Sequence, residues 1–375
     1  MSGTSQHVEA DPRRLLRRAR RAHERGEPDK AAQSYAALLA NDPGNFDALH
    51  GLGQIHLQSG RLEMALALFQ SSLKSNPDRA DGFSSLGLCF HLLRQLERAL
   101  VSYDAGLRIE PRHLELLNRR GVARLELGQP HQALEDFDHV LEMQPGLFDA
   151  LANRGNALLK LSRVAEALAV YDLALRQSPE NVQLLTNRAV ALRRLDRPHE
   201  AVMSARQALR RKSDFAEARF VESVARLTLG DFSAWCDYEA RWSVGLLASQ
   251  RRNFTAPLWR GDAPLNGRTI LLHAEQGSGD TLQFIRYAPL LAGRGASVIL
   301  EVQPELKRLL LALPGVAAVV ARGESLPPFD MHCPLLSLPA AFGTDLTTIP
   351  ADVPYIAAMT DDVARWRARM AGRFL

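Results

Sequence analysis

Five prolines stand one step of 34 residues apart: Pro43, Pro77, Pro111, Pro145 and Pro179. With this proline set at position 32 of a repeat, other columns align. Position 8 is Gly53, Gly87, Gly121 and Gly155, flanked by Ala19 and Ala189. Position 20 is alanine six times, from Ala31 to Ala201. Position 24 is Tyr35, Phe69, Tyr103, Phe137 and Tyr171, then Ala205. Small residues at positions 8 and 20 let two antiparallel helices approach closely, and the aromatic fills the gap between one pair and the next. Proline closes each unit because it cannot continue the preceding helix. Gly26, Gly60 and Gly128 fall at position 15, where the first helix turns into the second.

In period and in small/large pattern these columns resemble the tetratricopeptide repeat. Six repeats are expected over residues 12–213, after a flexible N-terminus at 1–11. A degenerate seventh pair at 214–245 carries Gly230 at position 15 and Trp235 in the alanine column. A bulky residue there breaks the close approach, so this unit reads as a cap or adaptor, which a repeat array needs. The resemblance implies a right-handed α-solenoid with a concave groove that takes a protein or peptide partner. In protein O-GlcNAc transferases, asparagines along that groove hold an extended substrate. The matching position 6 carries Asn153 and Asn187 here, but Arg17, Gly51, Ser85 and Arg119 in the other repeats.

Composition excludes several classes. Net charge is +4, so no large basic field points to nucleic acid. The one dense cluster, Arg13 to Arg25, reads as the solvated face of a first helix, because the repeat register runs through it. Three scattered cysteines, Cys89, Cys236 and Cys333, form no metal-ligand spacing and suit a reducing compartment. No apolar run reaches the roughly 20 residues of a membrane span, and no signal-peptide core opens the chain. The expectation is a cytoplasmic protein without metal or cofactor.

Between 246 and 268 the 34-residue step disappears, and Pro257, Gly261, Pro264 and Gly267 mark a linker. Phe254, Leu258 and Trp259 are expected to dock against the next domain. From 269 to 375 the pattern becomes strand–helix alternation. "RTILLHA", "ASVILEV", "VAAVVA" and "FDMHCPL" read as strands. "DTLQFIRYAPLLAGRG", kinked near Pro289, and "PELKRLLLALPG" read as helices. This succession predicts a doubly wound, Rossmann-like sheet.

In such sheets ligands gather at the carboxyl ends of strands. The turn after the first strand is "EQGSGD", residues 275–280. Gly277 and Gly279 permit close backbone approach, and the N–H groups of Asp280 and Thr281 would favour an anion. Asp280 can equally cap the helix. The motif is neither a full GxGxxG nor a Walker loop.

The stretch 271–315, with "DFSAW..YEARW" before it and "LPPFDMHCPLL" after it, resembles bacterial tetratricopeptide glycosyltransferase-like proteins. More distantly, the Gly-Asp turn is similar to the opening of heptosyltransferases, which have two GT-B lobes. That resemblance implies Asp280 as general base toward an acceptor hydroxyl, with Gln276, Gly277, Ser278, Gly279 and Thr281 around the substrate. The family loop has a bulky aliphatic residue where Ser278 stands. His273 and His332 rank below Asp280 as acid–base groups. Only about 105 residues come after the linker, so one lobe is expected and the nucleotide-sugar lobe is not. Two readings stand side by side: a glycosyltransferase-like acceptor lobe served by a peptide-binding array, or a non-catalytic tetratricopeptide scaffold.

Overall fold

The computed structural model describes residues 11–371, so all but the last residue of the expected flexible segment 1–11 lies outside the described residues. Thirteen helices open the chain in one unbroken rhythm. They are α1 (Pro12–Glu24), α2 (Pro28–Asn41), α3 (Phe46–Gln58), α4 (Leu62–Ser75), α5 (Ala80–Leu92), α6 (Leu96–Ile109) and α7 (Leu114–Glu126). They continue with α8 (Pro130–Met143), α9 (Phe148–Lys160), α10 (Val164–Gln177), α11 (Val182–Arg194), α12 (Pro198–Arg211) and α13 (Ala216–Thr228). First helices occupy positions 1–13 and second helices positions 17–30 in each of the six repeats. By contact density the chain forms two compact units, residues 1–195 and 196–375.

Within 1–195 the aromatic column finds its place mainly inside its own hairpin. A Cβ on Gly53, Gly87, Gly121 or Gly155 would lie 2.3–2.6 Å from Phe69, Tyr103, Phe137 or Tyr171 respectively. Position 8 is therefore small to seat the ring of its own repeat, not only to bring two backbones together. Tyr35 differs, because its ring lies against Gly51 of the next repeat. The turn at position 15 is left-handed throughout: Gly26, Gly60 and Gly128 have φ near +70°, and Arg94, Ser162 and Asp196 adopt 56–60° without being glycine.

Successive repeats are also pinned by charge. Position 7 of a first helix donates to position 25 of the preceding second helix: Arg120 to Asp104 at 2.7 Å, Arg154 to Asp138 at 2.6 Å, and Arg188 to Asp172 at 2.6 Å. In the second unit the same register is filled by Arg206 donating to Glu222 at 2.8 Å, with the signs exchanged.

After α13 the expected second helix is broken. A 3-10 turn (Phe232–Ala234), α14 (Trp235–Tyr238), a 3-10 stretch (Glu239–Ser243) and α15 (Gly245–Ser249) replace it. Trp235 packs edge-on against Tyr238 and against Phe284 farther along, so the alanine column has become an aromatic contact.

Beyond this adaptor come β1 (Thr269–His273), α16 (Ser278–Phe284), α17 (Ala288–Gly293), β2 (Ser297–Val302), α18 (Pro304–Leu310), β3 (Val316–Ala321), β4 (Met331–Pro334), α19 (Leu338–Phe342) and α20 (Thr360–Ala371). A 3-10 turn over Ile285–Tyr287 separates α16 from α17 just ahead of Pro289. The four strands are parallel, in the order β3-β2-β1-β4. The direction of winding thus reverses between β1 and β4.

The sheet is wound in both directions from β1, but its helices cluster on one face, where Ile270, Leu272, Val298 and Leu300 meet Phe284, Leu291, Leu306 and Leu338. The opposite face, with Leu271, Ile299 and Val320, is covered by Phe254, Leu326 and Phe329 from irregular segments. The physical reason is the β3-to-β4 connection: it crosses back without a helix, so no helix is delivered to that face. The linker contributes Phe254 to that cover and then runs along the β4 edge, where Trp259 N–H donates to the His332 carbonyl at 2.8 Å and His332 N–H donates to Pro257 at 3.0 Å; the Trp259 side chain is buried on the helix-bearing side.

Candidate functional site

The first-helix face of the repeats is polar and internally bonded. Asn153 donates its amide to Asn118 at 3.1 Å, and Asn187 donates to Asn156 at 2.9 Å. Asn156 also accepts from the Tyr171 hydroxyl at 2.8 Å, and Asn187 accepts from Gln183 at 3.0 Å. The two asparagines seen at position 6 therefore each belong to a separate amide pair. Asn118 and Asn156, at positions 5 and 9, were not separable from other polar residues by sequence alone. Nearer the N-terminus the face is charged. Arg20 meets Asp47 at 3.1 Å, Arg79 reaches the same carboxylate at 3.7 Å, and Arg79 pairs with Asp81 at 2.8 Å around a cavity of about 470 Å³.

At the turn after β1, the side chain of Asp280 accepts from the Gly277 N–H at 3.2 Å. Gly277 is the N-cap of α16, so Asp280 at position N3 reaches back to the N-cap N–H, the half of a capping box that a glycine N-cap allows. Thr281 N–H donates to the Gly277 carbonyl at 3.2 Å, so it is committed inside the helix. The Asp280 carboxylate thus takes up the Gly277 N–H and sets a negative charge beside this helix terminus.

The polar side chains of the other turn residues are hydrogen-bonded to neighbouring elements. Gln276 donates to the Tyr238 hydroxyl at 3.2 Å and its carbonyl accepts from Gln303 at 2.7 Å. Ser278 donates to Glu305 at 3.1 Å, and buried Thr281 donates to Gln303 at 2.9 Å. Gly279 is exposed, with open space where a Cβ would stand. The turn is thus stitched to the start of α18 and to the adaptor.

A denser constellation lies just upstream of that turn, on the sheet face that the linker covers. His273 on β1 stands level with Glu301 on β2, while His332 on β4 stands level with Leu271, two residues earlier on the same face. His273 and His332 share a hydrogen bond of 3.1 Å, and Phe254 packs against both rings. Burial, then His332 and the arginines Arg252 and Arg322, hold His273 down at about 3, so it is neutral near pH 7. Buried Glu301 accepts from Arg252 at 2.7 Å. Arg322 donates to the Ala274 carbonyl.

Glu275 sits next to these, buried, and is gripped from the adaptor. Arg241, with no exposed surface, donates to it at 3.1 Å and to Ser337 at 2.7 Å, while the Leu336 N–H donates to Glu275 at 3.0 Å. Burial raises the Glu275 carboxyl to about 7, against the opposing pull of Arg241 and the Leu336 N–H.

Two neighbouring cavities open here. One of about 620 Å³ is lined by Glu275, Glu301, Arg252 and Arg322; one of about 500 Å³ is walled by Trp242, Phe254, His273 and His332. The sequence signal for this cluster was weak. Glu275, Glu301 and Arg252 belong to no motif and lie far apart in the chain. Only the parallel register brings His273 beside Glu301.

Among the described residues, no helix is long and apolar enough to cross a membrane, and no group of three metal-ligating side chains converges. Residues 16–80 and 118–182 match the tetratricopeptide repeat family. No curated protein matches the chain significantly. Among solved structures, a tetratricopeptide repeat protein from Parabacteroides merdae aligns at 20% identity and a TM-score of 0.51, over 62% of this chain and 93% of that one. PilF of Pseudomonas aeruginosa aligns at 18% identity and a TM-score of 0.51, over 56% of this chain and 95% of that one. At such identities the likeness is one of fold. In family match, in fold and in its own 34-residue register, the helical part of this chain is an array of tetratricopeptide repeats.

Proposed function

We propose that the chain is a protein-interaction scaffold whose repeats, over 12–213, bind an extended polypeptide along their first-helix face. The observation that carries this reading is the two amide pairs Asn118–Asn153 and Asn156–Asn187, side-chain donors and acceptors at half-buried positions. Such groups can exchange bonds with a backbone laid across them, and backbone contacts suit an extended partner of varied sequence. A peptide library displayed against the full chain tests it. Enriched peptides should bind saturably in calorimetry and weaken about tenfold in Asn118→Ala/Asn153→Ala, equivalent to about 1.4 kcal/mol. Binding indifferent to first-helix substitutions would remove the groove from the account.

A second reading belongs to the 269–375 part, with 214–245 as adaptor and 246–268 as linker. Here the sheet is the acceptor-side lobe of a glycosyltransferase-like protein acting on polypeptide or glycan hydroxyls, with Asp280 as its base. What favours it is the winding reversal between β1 and β4, beside cavities that combine carboxylates, guanidinium groups and aromatic walls. Titrating UDP- and ADP-sugars into the full chain separates the two readings. Saturable binding that Asp280→Ala abolishes supports transfer chemistry; silence at millimolar sugar nucleotide leaves the scaffold.

A further inference from the structure

The outermost face of α1 departs from every other first helix in one consistent way. Positions 3 and 10 are buried in all six later first helices, from Ala48 to Ala218 and from Ile55 to Ala225. In the first repeat they are Arg14 and Arg21, both exposed, and position 14 is the exposed Arg25. Position 7 is Arg18, at the same register as Arg120, Arg154 and Arg188. Each of those three meets an aspartate at position 25 of the preceding repeat, at 2.6–2.7 Å. Arg18 has no hydrogen-bond or ion-pair partner among the described residues.

A polar outer face on a terminal repeat is needed for solubility, but mixed charges would serve that purpose. Four arginines on one face, without an interleaved acid, create a directed positive field. We infer that this end face docks an acidic amphipathic helix of a partner protein, laid on α1 as a second helix lies on the first helix that comes after it, with a carboxylate opposite Arg18. Charge complementarity selects the partner: Arg14 and Arg21 reject the apolar contact of an ordinary repeat and favour flanking acids instead. A second copy of this chain does not supply that helix by head-to-tail stacking. The position-25 residue of its sixth repeat is Arg206, which would face Arg18 with like charge and is already bonded to Glu222. This surface is separate from the amide pairs of the groove.

The test uses a helix-stapled, fluorescein-labelled peptide with the sequence of residues 130–145, which carries Glu135, Asp136, Asp138 and Glu142. Anisotropy titration into the full chain should show saturable binding. Arg18→Glu should weaken it about tenfold or more, and a peptide carrying Asp138→Arg should recover binding to that variant. Asn153→Ala should leave this binding unchanged, which separates failure here from failure of the groove reading. If Arg18→Glu binds as well as the parent chain, the inference is overturned. Equal binding of polyglutamate or of a 16-nucleotide DNA strand, at matched charge, would overturn it in favour of a generic polyanion surface.

Discussion

Arg206 on α12 and Glu222 on α13 form a 2.8 Å ion pair whose polarity is the reverse of the Arg188–Asp172 pair one repeat earlier. The register is shared, since both pairs join position 25 to position 7. Reversal makes the junction unlike its neighbours: an acid-bearing second helix placed before α13 would set carboxylate against carboxylate.

Glu222→Arg should therefore destabilise the 196–375 unit by about 1–2 kcal/mol, through lost pairing and added repulsion between a buried position and a half-exposed Arg206. Arg206→Asp combined with Glu222→Arg should restore most of that loss. All four tryptophans, Trp235, Trp242, Trp259 and Trp366, lie in this unit, so urea unfolding followed by tryptophan fluorescence reads it directly. Equal losses in the single and double variants would show that the pair adds nothing.

Gly121→Ala should destabilise the repeats, although alanine is the better helix former by about 1 kcal/mol. The added Cβ would stand 2.6 Å from the fully buried ring of Phe137, and overpacking of this kind costs about 1–3 kcal/mol. The contrasting position is Ala189, whose repeat carries Ala205 in place of the ring. Thermal melts followed at 222 nm should show the penalty for Gly121→Ala and its relief in Gly121→Ala/Phe137→Leu.

Ser162→Gly should act in the other direction. Ser162 holds φ near +60°, a conformation that costs an L-residue about 1–2 kcal/mol relative to glycine. Part of that gain is offset by the greater freedom of glycine in the unfolded chain and by loss of the Arg194 bond to the Ser162 hydroxyl. A net rise of about 0.5–1 kcal/mol in the helical transition is expected.

Arg241→Met should be the most damaging of these single changes, at about 3–5 kcal/mol, because it leaves buried Glu275 without its cation and Ser337 without its donor. Glu275→Gln in the same background should recover part of the loss by removing the unpaired charge. Tryptophan fluorescence again provides the readout.

The pH dependence of the second unit should carry two opposed slopes. His273 has a pKa lowered to about 3, so the stability it contributes is complete above its ordinary value near 6.5 and is lost as pH falls toward 3. Glu275 has a pKa raised to about 7, so its contribution is complete below its ordinary value near 4.5 and is lost as pH rises through 7. Between pH 6.5 and pH 4 the two slopes oppose each other in the parent chain, so urea midpoints at pH 4 relative to pH 6.5 should be higher in His273→Gln than in the parent. The same pH profile in both would assign the acid sensitivity elsewhere.

Much of the molecule is legible in the chain itself. The 34-residue step, the alanine column and the glycine turns determine the helix bounds, because each encodes a local requirement of close approach, turn sign or helix termination. The strands are likewise legible as short apolar runs between turn residues. What tertiary structure decided is where residues distant in sequence meet. Parallel pairing sets Glu301 beside His273, and the helix-free return from β3 leaves that face to Phe254 and the linker. It also turned Asp280 into a capping residue and gave Arg241 and Glu275 to each other. Periodicity records what a residue needs from its own helix; long-range ion pairs and sheet register have no period, so only the folded chain reveals them.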